Sequence, residues 1–218
     1  MTGGSNPIFH ADFVARAAER LSAAPLPEAF DPGFTPEQGD HRLAERLAPM
    51  DGRLHRPAAV LIPVVARPEG ATVLLTRRSE HLKDHAGQIA FPGGKMDVAD
   101  REPMDTALRE ADEEIGLDRR FVSPIGYLDP YLSSSGFRII PVVALIDPAH
   151  QVRLDPSEVE SIFEVPLGFL MDPARHETHQ REWRGAMRRY YAMPYGDYYI
   201  WGVTAGILRN LYEKVYEA

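Results

Sequence analysis

The sequence predicts a chain of the α/β class in its α+β arrangement: a mixed sheet with a few flanking helices and an N-terminal helical extension. Three observations predict it. Apolar, β-branched runs of strand length recur from Arg56 onward, and one long amphipathic helix, Pro103–Ile115, interrupts them. Strands and helices then follow one another without regular βαβ alternation, which favours a mixed sheet over a doubly wound one.

In chain order, residues 11–23 have helical periodicity through Phe13, Val14, Ala17, Ala18 and Leu21. A Pro- and Gly-bearing stretch follows over 25–39, and a short helix is expected around 41–47. Residues 1–55 therefore read as a largely helical extension, and 56–218 as the main domain. Residues 58–65 and 71–75 form two strands separated by Pro68-Glu69-Gly70. A Gly/Pro-rich loop, 87–94, leads into the Pro103–Ile115 helix. Strands are expected at 122–128, 137–146 and 160–165. An aromatic-rich pair follows at 183–193 and 198–201, then a closing amphipathic helix over 203–216 whose role is packing.

Composition narrows the functional classes. The 218 residues suit one compact domain with an extension, large enough to need no disulfide or metal staple. Cysteine is absent, which excludes disulfides, thiolate metal sites and cysteine nucleophiles. Acids outnumber bases by 32 to 24, a formal charge of −8, which argues against a nucleic-acid partner. A small phosphorylated substrate stays compatible if a cation sits between acid and phosphate. No apolar run approaches the ~18 residues of a membrane span, and the N-terminus lacks a basic-then-apolar leader. A cytoplasmic protein without membrane partners is expected.

The chemistry concentrates on the central helix. Pro103 suits its first turn and Gly116 its stop. Met104, Ala107, Leu108, Ala111 and Ile115 make the buried stripe. Glu110, Glu113 and Glu114 share a different face, where like charges at i, i+3 and i+4 cost a few tenths of a kcal/mol each. Arg109 relieves part of this through its i,i+4 partner Glu113. Such a face is either solvated or an oxygen-ligand cluster for a hard dication. The preceding Phe91-Pro92-Gly93-Gly94 favours the second, because bare backbone there can approach the carboxylates.

Other motifs fail. Gly94-Lys95 is no P-loop, since Ile89 and Met96 occupy key places. Ser133-Ser134-Ser135-Gly136 is not a nucleophile elbow. His176-Glu177-Thr178-His179 falls one residue short of a zinc motif and reads as a polar loop. His81 and His85 lack a third ligand.

Gly94, Asp100, Arg109-Glu110-Ala111, Glu113-Glu114 and Gly116-Leu117 resemble the Nudix box, G-x5-E-x7-R-E-U-x-E-E-x-G-U, with U aliphatic. Asp100 stands for the first Glu, eight residues rather than seven separate it from Arg109, and Ala111 is a small U. Leu74-Leu75-Thr76, Arg78-Ser79, Lys83, Gly87 and Phe91-Pro92-Gly93-Gly94 resemble the signature of the Nudix coenzyme A pyrophosphatases, with Lys83 in place of an Arg. The resemblance spans residues 74–117 and implies a Nudix-type α/β/α sandwich.

It also implies hydrolysis of the pyrophosphate of coenzyme A or its thioesters, giving 3′,5′-ADP and 4′-phosphopantetheine, with Mg²⁺ or Mn²⁺ as cofactor. By the same resemblance Glu110 and Glu114 are the principal metal ligands, with Glu113 assisting and the Gly93-Gly94 backbone facing metal or phosphate. Arg109 orients the carboxylates, and Arg78, Ser79 and Lys83 belong to substrate recognition. A diphosphate needs such cations, because like charges ~4 Å apart repel by about 4 kcal/mol at an effective dielectric of 20. Arg77, Arg78, Lys83, Lys95 and Arg138 are candidates on the phosphate side. Glu158, Glu160 and Glu113 compete as general base. Tyr131, Phe137, Trp183 and Tyr190 are either core or a stacking surface for adenine. Two other readings stay open: the same chemistry on another nucleoside diphosphate derivative such as ADP-ribose, and a non-catalytic nucleotide-binding module. Residues 1–55 cover an apolar surface or build a homodimer interface.

Overall fold

The computed structural model describes residues 7–43, 55–183 and 186–217. Helix α1 is His10–Arg20, followed by the short strand β1 (Gln38–Gly39). Strands β2 (Arg56–Val65), β3 (Thr72–Arg78), β4 (Ile89–Ala90) and β5 (Gly93–Lys95) precede α2 (Pro103–Ile115). Then come β6 (Val122–Tyr127), β7 (Tyr131–Leu132), β8 (Phe137–Ile146), β9 (Val159–Pro166) and the one-turn α3 (Leu167–Leu170). The chain closes with β10 (Glu177–Trp183), β11 (Ala186–Tyr195), β12 (Tyr198–Trp201) and α4 (Val203–Tyr212).

The expected mixed α+β architecture is present. Among the described residues, nine strands join one mixed sheet, and β10, β11 and β12 form a second, antiparallel one. Strand β2 is central. It pairs parallel with β8 from Arg56↔Phe137 to Val65↔Ile146, and antiparallel with β5 and β3. β3 in turn pairs antiparallel with β9 and β4. Being buried on both faces, β2 and β8 are near-continuous apolar runs rather than alternating ones. One face packs Ala59, Leu61 and Leu74 against Ala107, Ala111 and Ile115 of α2. The other packs Ile62, Val73 and Leu75 with Leu208 and Leu211 of α4 and Met193 and Ile200 of the second sheet. The result is a helix–sheet–helix layering.

Residues from the N-terminal segment enter this structure. Phe13 and Ala17 are buried in the same apolar core as α4, and β1 pairs with β7 at the sheet edge. Asp40 accepts hydrogen bonds from Tyr131 Oη (2.8 Å) and the Ser134 amide (2.7 Å).

Several expectations need correction. Residues 176–179 are not a polar loop: Glu177 to His179 begin β10, which pairs with β11. That strand has no apolar alternation to announce it. The expected helix at 41–47 is a 3-10 turn over Asp40–Leu43, and residues 44–47 lie outside the described residues. The closing helix ends at Tyr212, and Glu213–Glu217 widen into a π turn. Arg138 does not face a phosphate. It is 1% exposed and donates from Nη1 to the Asp31 carbonyl at 2.6 Å. No helix among the described residues is long and apolar enough to cross a membrane.

His176 ties the start of β10 to α4. Its Nε2–H donates to the Leu170 carbonyl at 2.7 Å, and its Nδ1 faces Arg209 Nη1 at 3.5 Å. Burial, then the neighbouring Arg209 charge, hold its pKa below 6.5 against the raising effects of the Leu170 carbonyl, Asp172 and Glu213. A depressed folded pKa contributes stability that is present above the unfolded value and lost as pH falls below it. The melting-temperature difference between wild type and His176→Gln is therefore expected to move against wild type from pH 7.5 to 5.5, while the raised carboxyl of Glu114 contributes equally to both proteins with the opposite sign. A difference that stays constant with pH would place the sensitivity elsewhere.

Candidate active site

The site is built where β5 meets α2. Gly93 and Gly94 pair with Val60 and Ala59 of the central strand, which brings bare backbone under the helix. At Gly93, φ is +155°, and a Cβ there would stand 2.5 Å from the Ala59 carbonyl oxygen and 2.6 Å from Val60 Cα. Only glycine fits. At Gly94 an added Cβ would meet the Glu110 carboxylate at 2.5 Å. The Gly93 amide donates to Glu114 Oε2 at 3.2 Å.

Arg109 organises the acids. Its Nη1 donates to Glu110 Oε1 (2.9 Å) and Glu113 Oε2 (3.1 Å). Its Nε and Nη2 grip Asp100 at 3.2 and 2.9 Å, and Nη2 also donates to the Lys95 carbonyl at 3.2 Å. Asp100 thus reaches Arg109 across the eight-residue spacing, and Arg109 with two hydrogen bonds holds its carboxyl well below the usual range.

Glu114 is 3% exposed. Burial pushes its carboxyl up to about 7, although the Gly93 amide and Arg78 oppose the rise. Burial also raises Glu110 in spite of Arg109. The charge of Glu158 raises both groups further, so three carboxylates from two elements repel one another here. Glu160, two residues on, is engaged elsewhere: its carboxylate pairs with Arg77 Nε at 3.3 Å. The two downstream acids of the sequence analysis are thereby separated.

The upstream signature enters through Arg78, whose Nη1 lies 3.5 Å from Glu114 Oε1. Its Nε is buried with no hydrogen-bond partner among the described residues. Ser79 is turned inward, 3% exposed, with Oγ donating to the Pro156 carbonyl at 3.0 Å. It fastens the loop rather than facing the carboxylates. Lys83 is exposed on the loop after β3, and Lys95 Nζ lies 6.0 Å from the Phe137 ring. Of the aromatic candidates, Tyr131 is buried on Asp40, Phe137 packs under Arg56, and Tyr190 stands on the second sheet. The side chain of Trp183 lies outside the described residues. Tyr199 and Trp201 were not singled out in the sequence. Only the β11–β12 register, which sets Ala192 against Trp201 and Pro194 against Tyr199, puts them on one face with Tyr190.

The donor set fits a hard divalent cation. It offers carboxylates and a backbone carbonyl, without thiolate or imidazole. Buried, mutually repelling acids are the electrostatic condition that such an ion relieves. Among the described residues, no three acidic or histidine side chains already converge on one point. Glu110 and Glu113 are drawn instead to Arg109.

A model of the NUDIX domain family matches residues 55–186. A Yersinia pestis (strain Pestoides F) protein named as an uncharacterized Nudix hydrolase, NudL, is 43% identical over 161 residues, covering 74% of this chain and 80% of the relative. The protein of that name from Yersinia pseudotuberculosis serotype O:1b (strain IP 31758) also matches at 43% over 161 residues, 74% of this chain and 80% of its own. Among solved structures, a MutT/nudix family protein from Enterococcus faecalis superposes with a TM-score of 0.47 at 14% identity, over 76% of this chain and 63% of that one.

Proposed function

The chain belongs to the Nudix family, and from that premise we propose that it is the hydrolase of the pyrophosphate bond in coenzyme A or its thioesters. The products are 3′,5′-ADP and 4′-phosphopantetheine. One observation supports the choice above others: the coenzyme A signature and the acidic helix meet in a single site. Arg78 of the signature stands 3.5 Å from Glu114, and Gly93 of the signature donates to the same carboxylate.

Glu110 and Glu114 would hold Mg²⁺ or Mn²⁺, with Glu113 and the Gly94 carbonyl assisting. When bound, such an ion neutralises phosphate charge and lowers the pKa of a water for attack. The chain's own groups do the rest. Arg109 positions Glu110 and Glu113 from one guanidinium, itself anchored on Asp100. Arg78, with an unpartnered Nε, supplies hydrogen-bond donors to a phosphate oxygen. Lys83 and Lys95 add point charges on the approach. Glu158 is the general base of choice, since its charge is felt by both Glu110 and Glu114 whereas Glu160 is held by Arg77.

Incubation with coenzyme A and with ADP-ribose, each with Mn²⁺ and with products separated by chromatography, tests this reading. Cleavage of coenzyme A to the two named products is expected. Turnover of ADP-ribose alone would overturn the substrate, and turnover of neither would leave a nucleotide-binding module.

A further inference from the structure

Arg77 and Arg78 are neighbours in β3 and part company. Arg78 reaches Glu114, whereas Arg77 pairs with Glu80 at 2.9 Å and Glu160 at 3.3 Å. Arg77 and Glu80 line a trough of about 350 Å³ that the catalytic scheme leaves unused, together with Gly87, Asp197, Tyr199 and Trp201. That volume lies at the lower end of ordinary small-molecule sites, which start near ~300 Å³.

Both walls are fastened before any ligand arrives. On the C-terminal side, the Tyr198 ring lies flat on Phe163 of β9, centroids 3.6 Å apart and planes within 4°. Thr204 Oγ1 donates to the Ile89 carbonyl at 2.9 Å, tying α4 to β4 at the end of the opposite loop. That loop needs a glycine: at Gly87 φ is +67°, and a Cβ would come 2.5 Å from Glu80 Oε1. Tyr199 is 40% exposed, with Trp201 tilted 31° from it at 6.4 Å.

The lining selects its ligand. The charged side chains that line it are one guanidinium, already paired, against the two carboxylates of Glu80 and Asp197, and a second guanidinium, Arg181, stands off over the Trp201 ring at 6.0 Å. Such a balance repels phosphate and accepts hydrogen bonds from neutral N–H groups. Indole and phenol faces stack planar rings of any base. We propose that this trough is a base subsite, receiving the amino-bearing purine of the nucleotide substrate on Tyr199 and Trp201 with its exocyclic amine toward Asp197 or Glu80. The proposal rests on the nucleotide-substrate reading above and adds where the base goes.

Titration calorimetry of the full chain without metal, using AMP as probe, tests it. Tyr199→Ala and Trp201→Ala are each expected to weaken AMP binding by about tenfold or more. Tyr199→Phe should retain it, and inosine monophosphate, with a carbonyl for the amine, should bind wild type more weakly. With whichever of coenzyme A or ADP-ribose is turned over, KM should rise in parallel while kcat stays within about twofold. Undetectable AMP binding by wild type overturns the proposal. So does unchanged affinity in alanine variants of normal melting temperature, or a loss confined to 4′-phosphopantetheine. Equal affinity for the two nucleotides overturns the assignment of the amine. Failure of the coenzyme A reading shows differently, as AMP binding that still depends on the trough in a protein that does not cleave coenzyme A.

Discussion

Glu114→Gln is expected to lower kcat/KM by about 10²–10³-fold, the cost of removing one preorganised electrostatic group from a site of this kind, with no loss of melting temperature. The two halves have separate causes. The carboxylate is buried, and burial pushes its pKa up to about 7, so the folded state holds a charge it solvates poorly at pH 8. An amide of nearly the same shape still accepts from the Gly93 N–H while shedding the desolvation penalty. Its repulsion with Glu110 and Glu158 disappears as well. Activity, by contrast, loses a carboxylate proposed to hold the metal. Measuring kcat/KM on coenzyme A beside a thermal melt separates the effects. A fully active variant would place the metal elsewhere, and a collapsed melting temperature would mean that Glu114 is structural.

The second large effect falls on the backbone beneath it. Gly93→Ala sets a methyl against the Ala59 carbonyl and Val60 Cα in a φ that L residues rarely adopt. Overpacking of about 1–3 kcal/mol adds to backbone strain of similar size. At ~2–4 °C per kcal/mol for a chain of this length, a total of about 2–6 kcal/mol should lower the melting temperature by roughly 4–24 °C. Gly94→Ala is the informative contrast, since the nearest atoms to its methyl belong to the Glu110 carboxylate, the free end of a side chain. That variant should melt near the wild-type temperature and lose activity because Glu110 is displaced. Similar melting temperatures for the two variants would contradict the geometry of β5.

How far the residues announced this depends on what each signal measures. Ala107, Ala111 and Ile115 of the α2 stripe and the long runs of β2 and β8 were legible because burial imposes periodicity or continuity on side chains, whereas Leu108 of the expected stripe is only half-buried and Glu114 is buried in addition. The Gly-Gly loop and the three acids were legible because unusual residues sit where ordinary helices avoid them. Strand β10 was not. It carries Glu177, His179 and Arg181 and is specified by its ladder with β11, a contact between segments rather than a property of one. Arg138 was a candidate for the phosphate side, and only the N-terminal segment folding over it reveals that it is buried. Glu158 and Glu160 were indistinguishable in sequence, and the irregular register at Arg77/Arg78 in the β3–β9 ladder accompanies their separation. The aromatic trough was invisible for the same reason as β10, because Tyr199 and Trp201 join Tyr190 only through pairing.

The parallel pairing of β2 with β8 has a kinetic meaning. Everything that makes the site between them in sequence, from Arg78 through β5 to α2, lies within the crossover that joins these two strands. Contacts of such separation close late, after loop entropy has been overcome. During synthesis the acidic helix therefore forms early, by local bonds, after Gly93 has already emerged, whereas Glu158 lies beyond β8 and comes into place only as β9 pairs with β3. The repulsion within the helix is met as the helix forms, but the burial of Glu114 and the approach of Glu158 are imposed only by completion of the sheet, so a chain that pauses half folded carries no assembled site.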